Sequence, residues 1–340
     1  MKKTIWLFLV TLLIASPAMA RDQIRIVGSS TVYPFAAAVA EQFSKSNPEY
    51  QAVVESTGSG AGFKLFCASA DDDSADITNA SRRIKDSEYK DCQKNGVTQI
   101  SEVKIGFDGI VLAQSKKAPE TKLTLKQVYM ALAKNVPQNG KLVPNPFEKW
   151  SDIDAKLPAT KIAVLGPPPS SGTRDSFVEM AMEGGCKAFP ELAALKSSDE
   201  KAFKTACHTI REDGAFIEAG ENDNLIVQKL EANNKLFGIF GYSFLDDNRD
   251  YLNAATIDGI APSFEAIQSG KYPLSRPLFF YVKTAHVKTI PAIKDYVAEF
   301  TSEKTVGDNG YLLGKGLVPL TKAERKTVRE NALSQKPLSM

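Results

Sequence analysis

Histidine is scarce in this chain: its 340 residues include 2 histidines, His208 and His286, which lie far apart in sequence. The chain also has no Cys-x-x-Cys pair and no His-rich cluster, so we expect no zinc site or other metal centre. A Gly-x-Ser-x-Gly nucleophile elbow is absent, and neither histidine lies in a nucleophile–base motif. These absences argue against a serine hydrolase or a metal-dependent phosphatase. We therefore expect a protein that is not an enzyme, with no catalytic residues and no cofactor.

An excess of charge of either sign is also missing, because 42 Lys and Arg stand against 40 Asp and Glu. Residues 1–20 contain Lys2 and Lys3 and no acid, so the chain from Arg21 onward has equal numbers of both signs. No basic run or stripe stands out, which argues against nucleic acid as a partner. Tandem repeats and low-complexity tracts are absent, and the length suggests about two domains.

The N-terminus has the pattern of a secretory signal peptide. Lys2 and Lys3 precede an apolar run over residues 5–15, and Ala18-Met-Ala20 supplies a small-x-small cleavage site. The apolar run is short for a membrane span, and no cysteine follows the site. We expect cleavage after Ala20, export to the periplasm, and a mature chain that does not insert into the membrane.

Four cysteines are an even number in a chain predicted to be exported, which is typical of structural disulfides. Sequence alone allows three pairings. The local pairing, Cys67 with Cys92 and Cys186 with Cys207, closes two short loops, each within one of the two domains that the length suggests. We predict this pairing, with each disulfide stabilising the fold by about 3 kcal/mol on a loop-entropy estimate.

Two hydroxyl-rich loops lie between strand-like and helix-like segments. The strand-like run at Gln23–Val27 ends at Gly28, and apolar residues recur at helical spacing from Thr31 onward. Far along the chain, residues 167–177 repeat this arrangement after the strand-like run at 161–165. A helix start presents unpaired N–H groups and partial positive charge, so it can bind an anion. Simple helix capping is the alternative for each loop alone, but the pair together predicts two loops that close on one anion.

Two further segments could contribute anion donors. The glycine-rich run at Ser56–Gly62 precedes a predicted helix, yet it lacks the Lys-Ser/Thr of a nucleotide-binding P-loop. A tight turn is the alternative for this run. Ser81-Arg82-Arg83 follows a strand-like segment, and an arginine there could form bidentate hydrogen bonds with a tetrahedral oxyanion. A solvated arginine pair is the alternative.

Apolar runs broken by glycine at Val103–Ala113 and Leu236–Phe244 predict strands that cross between two lobes and form a hinge. Strands that alternate with helices predict an α/β architecture, with the ligand in the cleft between the lobes. The polar segment from Thr321 onward is interpreted as a surface tail. The predicted division is a signal peptide at 1–20, lobe 1 at 21–112, lobe 2 at 113–237, and the rest of lobe 1, with that polar C-terminal tail, at 238–340.

Six short motifs, in order along the chain, carry a family resemblance: Gly28–Pro34, Gly58–Gly62, Asp76–Arg82, Asp108–Val111, Ser171–Arg174 and Gly238–Tyr242. On these motifs nearly the whole mature chain resembles the PstS family of periplasmic phosphate-binding proteins, the solute receptors of ABC phosphate importers. The resemblance implies the type II periplasmic-binding-protein fold, a monomer that captures inorganic phosphate between its lobes, and delivery to permease subunits in the inner membrane. A receptor for another oxyanion such as sulfate, an exported phosphoester hydrolase and an adhesin on the same fold are the alternatives.

The resemblance also implies the phosphate donors, which map by motif onto Ser30, Thr31, the Val32 backbone, Ser59, Ser171, Gly172 and Thr173. This chain departs from one branch of the family at two positions. Arg82 stands where that branch has an aspartate that accepts the phosphate proton, and Pro167 stands where it has an arginine. We therefore expect Arg82 to supply the positive charge, with Arg174 as a second cation.

The proton acceptor must then lie elsewhere. Asp108 is the candidate, with Asp213 and Asp223 behind it. Such an acceptor matters because phosphate carries a proton at neutral pH and sulfate does not.

Overall fold

The computed structural model describes residues 21–169, 171–220 and 223–340, so the predicted signal peptide at 1–20 lies outside the described residues. The strands in these ranges are β1 (Gln23–Gly28), β2 (Gln51–Ser56), β3 (Ile77–Ala80), β4 (Ile100–Ser115), β5 (Lys122–Leu123), β6 (Asn135–Gln138), β7 (Lys141–Pro144), β8 (Val164–Gly166), β9 (Phe216–Glu218), β10 (Phe237–Gly241), β11 (Leu252–Ala254), β12 (Thr256–Ile257) and β13 (Ser275–Lys283).

The α-helices are α1 (Tyr33–Ser46), α2 (Ser59–Phe66), α3 (Asp86–Lys94), α4 (Leu125–Leu132), α5 (Trp150–Ile153), α6 (Gly172–Phe177), α7 (Glu183–Cys186), α8 (Pro190–Ser198), α9 (Glu200–His208), α10 (Asp223–Ala232), α11 (Tyr242–Asp247), α12 (Phe264–Gln268), α13 (Ala292–Phe300), α14 (Glu303–Val306) and α15 (Lys322–Leu333). A π-helical segment, Val178–Met182, joins α6 to α7, and 3₁₀ turns occupy Thr284–Lys288 and Leu313–Lys315.

The strands form a mixed sheet in the order β2-β1-β3-β13-β4-β10-β8-β9, with β11 also paired to β4. We call β2, β1, β3, β13 and the start of β4 the first sheet, and the end of β4 with β10, β8, β9 and β11 the second sheet. The α/β fold class predicted from the sequence is confirmed, since helices alternate with strands in both sheets.

Strand β4 belongs to both sheets, because residues 100–109 pair with β13 and residues 110–114 pair with β10. It therefore crosses between the lobes, where the sequence predicts the first crossing. Within the second predicted crossing, Leu236–Phe244, residues 237–241 form β10. This strand pairs with β4 and β8, which places it in the second sheet. The chain returns to the first sheet at β13, which runs antiparallel to β4 and β3.

Three clusters of buried apolar side chains surround these sheets. One packs around the second sheet and draws its buried members from residues 107–274 together with Val318 and Leu320. The other two pack around the first sheet and contain residues from 24–105 and 278–332. We call these groups the second lobe and the first lobe. The lobe boundaries predicted at 112/113 and 237/238 stay a proposal. Buried residues beyond the second boundary, as far as Leu274, belong to the second-lobe cluster.

Helix α1 shows how the sequence builds a lobe. Phe35, Ala36, Val39, Ala40 and Phe43 recur at helical spacing, and all of them are buried in the first lobe. Pro34 stands at the beginning of the helix, where its fixed backbone angle is favourable and its missing N–H costs nothing. The helix predicted to follow the first hydroxyl-rich loop is therefore confirmed.

The two disulfides have the predicted pairing. Cys67–Cys92 joins the end of α2 to α3 in the first lobe, and Cys186–Cys207 joins α7 to α9 in the second lobe. Because each bridge lies within one lobe, neither bridge ties the lobes together. Within the described residues, no helix combines the length and apolar character that a membrane crossing requires.

The interpretation of the segment from Thr321 onward as a polar surface tail is wrong for residues 322–333, because these residues form helix α15. The helix begins at a capping box in which Thr321 and Glu324 satisfy each other's backbone N–H groups. Its Arg325 is buried and forms ion pairs with Glu303 and Asp308. These contacts fix the helix on the first lobe although its composition is polar.

Glycine at position 62 is required for α2 to approach β1. A Cβ atom at Gly62 would lie 2.5 Å from the Cα of Gly28 and 2.7 Å from the Oγ1 of Thr78. We expect Gly62→Ala to lower the free energy of unfolding by about 1–3 kcal/mol, the usual cost of overpacking. Gly60→Ala is the matched control in the same helix, because the nearest atom to its Cβ is a side-chain nitrogen of Arg82 at 4.0 Å. Chemical denaturation measures the unfolding midpoint of each variant. Equal midpoints for Gly62→Ala and Gly60→Ala would contradict this account.

Candidate functional site

Loops from the two lobes meet at the carboxyl ends of parallel strands. In the first sheet, β1 is parallel to β2 and β3, so the loops that follow these three strands share one edge. In the second sheet, β8 is parallel to β9 and β10 and arranges its loops in the same way. Ligands of α/β proteins bind at such edges, which makes the junction of the two edges the candidate site.

The two hydroxyl-rich loops touch each other directly at this junction. A Cβ atom at Gly172 would lie 2.6 Å from the carbonyl oxygen of Ser30 and 3.2 Å from the Cα of Thr31. Since Gly172 begins α6 of the second lobe and Ser30 belongs to the first lobe, the lobes are closed against one another here. Only a residue without a side chain permits this approach.

A buried guanidinium holds the two loops together. Arg276, near the start of β13, donates from Nη2 to Thr31 Oγ1 at 2.6 Å and to Ser176 Oγ at 2.7 Å. Ser176 lies one turn into α6, donates to the carbonyl of Gly172 at 3.0 Å, and lies 3.1 Å from Thr31 Oγ1. The Arg276 side chain is 13% exposed. One cation of the first lobe thus joins hydroxyls from both lobes.

Asp108 lies beside this guanidinium. It pairs with Arg276 across β4 and β13, and its Oδ2 atom is 3.6 Å from Nε of Arg276, too far for a hydrogen bond. Within the described part of the chain, both of these atoms are buried and have no hydrogen-bond partner. Burial raises the pKa of Asp108, although Arg276 and Ser176 oppose that shift. An acceptor and a donor are thus available to a ligand, because buried polar atoms are rarely left unpaired.

A small cavity of about 40 Å³ opens at this point. Its walls include the first hydroxyl-rich loop, α6, the junction of β10 with α11 and the turn at 315–316. The lining residues are Thr31, Pro34, Phe35, Asp108, Gly172, Thr173, Ser176, Asp223, Gly241, Phe244, Lys315 and Gly316. Glu179, one turn beyond Ser176, bonds Nη1 of Arg276 through its Oε2 atom. The cavity is therefore surrounded by hydroxyls, one guanidinium and several carboxylates.

Several of the predicted phosphate-binding residues lie at this cavity. Thr31, Asp108, Gly172 and Thr173 line it directly. Ser171 caps α6, and its Oγ accepts from the Thr173 N–H at 3.2 Å. In the first loop, the Ser30 carbonyl lies against Gly172, and the Val32 N–H donates to Ser29 Oγ at 3.3 Å. The roles of all these residues toward a ligand stay predictions.

Ser59 and Arg82 form a separate group on the first lobe. Ser59 begins α2, and its Oγ accepts from the Ser81 N–H at 3.1 Å. The Arg82 guanidinium forms two hydrogen bonds with Glu88, at 2.7 and 2.8 Å, and lies over the Phe63 ring. Glu88 therefore neutralises part of the charge that Arg82 could offer to an anion, and the role of Arg82 as the main cation stays a prediction.

The second predicted cation and the reserve acceptors are also placed by the structure. Arg174 donates to the Pro167 carbonyl at 3.0 Å and lies 4.2 Å from the centre of the Phe216 ring. Asp213 pairs with Arg211, whose hydrogen bond lowers the pKa of that carboxyl. Asp223 lines the cavity. Asp108 and Asp223 are thus the predicted acceptors that reach the candidate site.

Sequence reasoning missed Arg276, Ser176 and Glu179. Ser176 and Glu179 follow Gly172 by four and seven residues, so they lie on one helical face with it, a spacing that the sequence does display. Arg276 was not recognisable in this way. Its position depends on the pairing of β13 with β4, which joins residues far apart in the chain.

Closure against Gly172 gives a testable consequence. We expect Gly172→Ala to weaken anion binding by about tenfold or more, since a displaced backbone contact costs about 1–3 kcal/mol. The thermal unfolding midpoint should change little, because the contact lies between the lobes and outside either core. Gly314→Ala is the control, as its Cβ would meet nothing within 4 Å. Calorimetric titration measures the effect, and equal affinities for both variants would mean that this contact does not form in the bound state.

Comparison with known proteins gives consistent results. The sequence model of the PBP superfamily domain matches residues 14–304. A phosphate-binding protein PstS from Staphylococcus haemolyticus is 30% identical over 297 residues, which are 84% of this chain and 79% of that protein. Protein SphX from Synechocystis is 29% identical over 341 residues, or 95% of this chain and 89% of that protein.

A solved structure is also similar. The crystal structure of a possible phosphate binding protein from Planctomyces limnophilus superimposes with a TM-score of 0.72. The sequence identity is 27%, and the alignment covers 92% of this chain and 98% of that one. The two-lobed architecture predicted from the sequence is therefore confirmed by a relative that shares nearly the full length.

Proposed function

Because the chain belongs to the PBP superfamily and, within it, to the family of PstS phosphate-binding proteins, we propose that it captures inorganic phosphate in the cavity between its lobes. The relative from Staphylococcus haemolyticus is named as a phosphate-binding protein, and this chain offers the chemistry that such an ion needs. A phosphate ion removed from water must exchange its hydration shell for charge-assisted donors.

The observation that supports this proposal most strongly is the set of groups around Arg276. Its guanidinium joins Thr31 of one lobe to Ser176 of the other, and its Nε atom is buried without a partner. A phosphate ion that enters the cavity would displace the contacts to these hydroxyls, which could then donate to the ion. The Oδ2 atom of Asp108, also without a partner, would accept the proton that phosphate carries.

Delivery to an ABC permease and residence in the periplasm belong to the same proposal. The predicted signal peptide and the two disulfides support export, since disulfides persist in oxidising compartments. A receptor role is favoured over hydrolysis because both histidines are engaged away from the cavity, His208 with Glu183 and His286 with Asp76. The family relatives are named as binding proteins.

Calorimetric titration of the mature protein, beginning at Arg21, tests this function. We expect micromolar or tighter binding of phosphate with one site per chain, and sulfate binding at least about tenfold weaker. Incubation with a chromogenic phosphate monoester should release no product. Absence of heat with phosphate, or turnover of the ester, would contradict the proposal.

A further inference from the structure

The charged groups around the candidate site include several carboxylates. Arg276 faces two carboxylates at once: Glu179 of the second lobe bonds its Nη1, and Asp108 lies 3.6 Å from its Nε. The cavity wall adds Asp223 and Lys315. Among the described groups, the carboxylates that line the cavity or bond Arg276 are Asp108, Asp223 and Glu179, and the cations are Lys315 and Arg276 itself.

Such a wall penalises each additional negative charge on the ligand. Two like charges repel more strongly in a closed cleft than in water, because the effective dielectric constant is lower there. Asp108 is buried, so its repulsion is little screened, while Glu179 is 51% exposed and acts more weakly. A doubly charged ion must overcome more repulsion here than a singly charged one.

Phosphate can reduce its charge by keeping a second proton, and the site offers a place for two such protons. A P–OH group needs an acceptor, and a carboxylate oxygen is a strong one. Asp108 offers its unpartnered Oδ2 atom. Glu179 bonds Arg276 through Oε2, which leaves its other oxygen to accept from the ligand.

We propose that the cavity selects the singly charged, dihydrogen form of phosphate, and that Glu179 sets this preference by opposing a second negative charge beside Arg276. The proposal rests on phosphate being the ligand, as argued above. Glu179 thereby acts as a specificity-determining residue, whose carboxylate accepts one proton of the ion and weakens the hold of Arg276 on ions that have no proton. The charged groups that line the cavity are Asp108 of β4, Asp223 of α10 and Lys315, and adjoining it are Arg276 of β13, bonded to Thr31, and Glu179 of the π-helical segment, bonded to Arg276.

Proton exchange during binding is the first test. Calorimetry at roughly pH 8, in buffers with different ionisation enthalpies, counts the protons taken up. Free phosphate is mainly doubly charged at that pH, since a phosphate group loses its last accessible proton near roughly pH 6–7. We expect uptake of about one proton with phosphate and none with sulfate, which cannot be protonated.

The two anions separate the possible sources of the proton. Uptake with both anions would mean that the proton goes to a carboxylate of the protein, and uptake with neither would mean that the doubly charged ion binds. Either result overturns the proposal. Failure of phosphate to bind at any pH would instead remove the proposed function itself.

Substitution of Glu179 is the second test. We expect Glu179→Gln to take up less than roughly half a proton per phosphate, because its amide no longer favours the extra proton. Sulfate should bind about threefold tighter than to the unaltered protein, since a repulsive but half-exposed charge is removed. Glu231→Gln, an exposed position on α10 of the same lobe, removes the same charge away from the cavity and should change neither quantity. Identical behaviour of Glu179→Gln and Glu231→Gln would show that Glu179 has no part in selection.

Discussion

Replacement of Arg276 by alanine should reduce phosphate affinity by at least about 30-fold, because removal of one partner from a buried, hydrogen-bonded charge pair costs about 2 kcal/mol or more. This arginine carries the only cation that bonds hydroxyls of both lobes in the described structure. Its loss removes the direct contact with the ion and also leaves Asp108 buried without a counter-charge. Both effects act against an anion.

Arg82→Ala is the matched control, since it deletes the same side chain from the neighbouring group on the first lobe. Arg82 bonds Glu88 and does not line the cavity, so we expect its removal to change phosphate affinity by less than about threefold. Arg276→Lys should recover only part of the binding, because a lysine ammonium could replace Nη2 at Thr31 and Ser176 but could not also supply the Nη1 that bonds Glu179 and the Nε beside Asp108. Titration of the three variants decides between the arginines. A larger loss for Arg82→Ala would support the cation predicted from the sequence.

Thermal unfolding must accompany these titrations. Arg276→Ala leaves Asp108 and Glu179 without their cation, so some loss of stability is expected. Binding should be measured well below the unfolding midpoint of each variant. A variant that is folded and fails to bind supports the assignment, and one that binds normally contradicts it.

Replacement of Asp108 by asparagine should separate two anions that have the same shape. Phosphate affinity should fall by at least about tenfold, because a hydrogen bond to a charged acceptor is worth about 1.5–3 kcal/mol. Sulfate affinity should stay equal or rise, since the buried carboxylate repels an ion that has no proton to donate. Equal weakening of both anions would mean that the proton acceptor lies elsewhere, with Asp223 as the next candidate at the cavity.

The same variant should not be destabilised at neutral pH. Burial raises the pKa of Asp108, so the folded protein holds the proton more tightly than the unfolded chain does. Stability from this group is therefore present at low pH and is lost as the pH rises through the folded pKa. Asparagine removes that cost, and we expect an unfolding midpoint at neutral pH that is equal to or higher than that of the unaltered protein. A clear decrease would mean that Asp108 stabilises the fold through contacts that asparagine cannot make.

Local patterns in the sequence predicted the scaffold well. The helical spacing of Phe35, Val39 and Phe43 is intrinsic to α1, and the glycine at 28 ends β1 where the strand must turn. The local disulfide pairing followed from short loops within one lobe. Thr321 and Glu324 form the capping box that begins helix α15, so this spacing, and not the polar composition of the segment, is the signal that predicts its structure.

The residues of the candidate site were harder to predict from local sequence patterns. The hydroxyl-rich loops and Asp108 were found by motif, and the structure brings Thr31, Gly172, Thr173 and Asp108 to one cavity. Arg276 depends on the register of β13 against β4, which no local pattern encodes. The motif around Arg82 likewise does not reveal that Glu88, on the next helix, occupies its guanidinium. Long-range pairing therefore limits what a single sequence shows about this site.

A crystal structure of the mature protein with phosphate tests the central claim most directly. We predict tetrahedral density in the cavity between the lobes, with phosphate oxygens about 2.7–3.2 Å from the nitrogens of Arg276 and from the N–H groups that begin α6. One oxygen should approach Asp108 Oδ2 at about 2.5–2.7 Å, the distance of a hydrogen bond from a hydroxyl to a carboxylate. Density beside Ser59 and Arg82, with Arg276 still bonded to Thr31 and Ser176, would contradict the account.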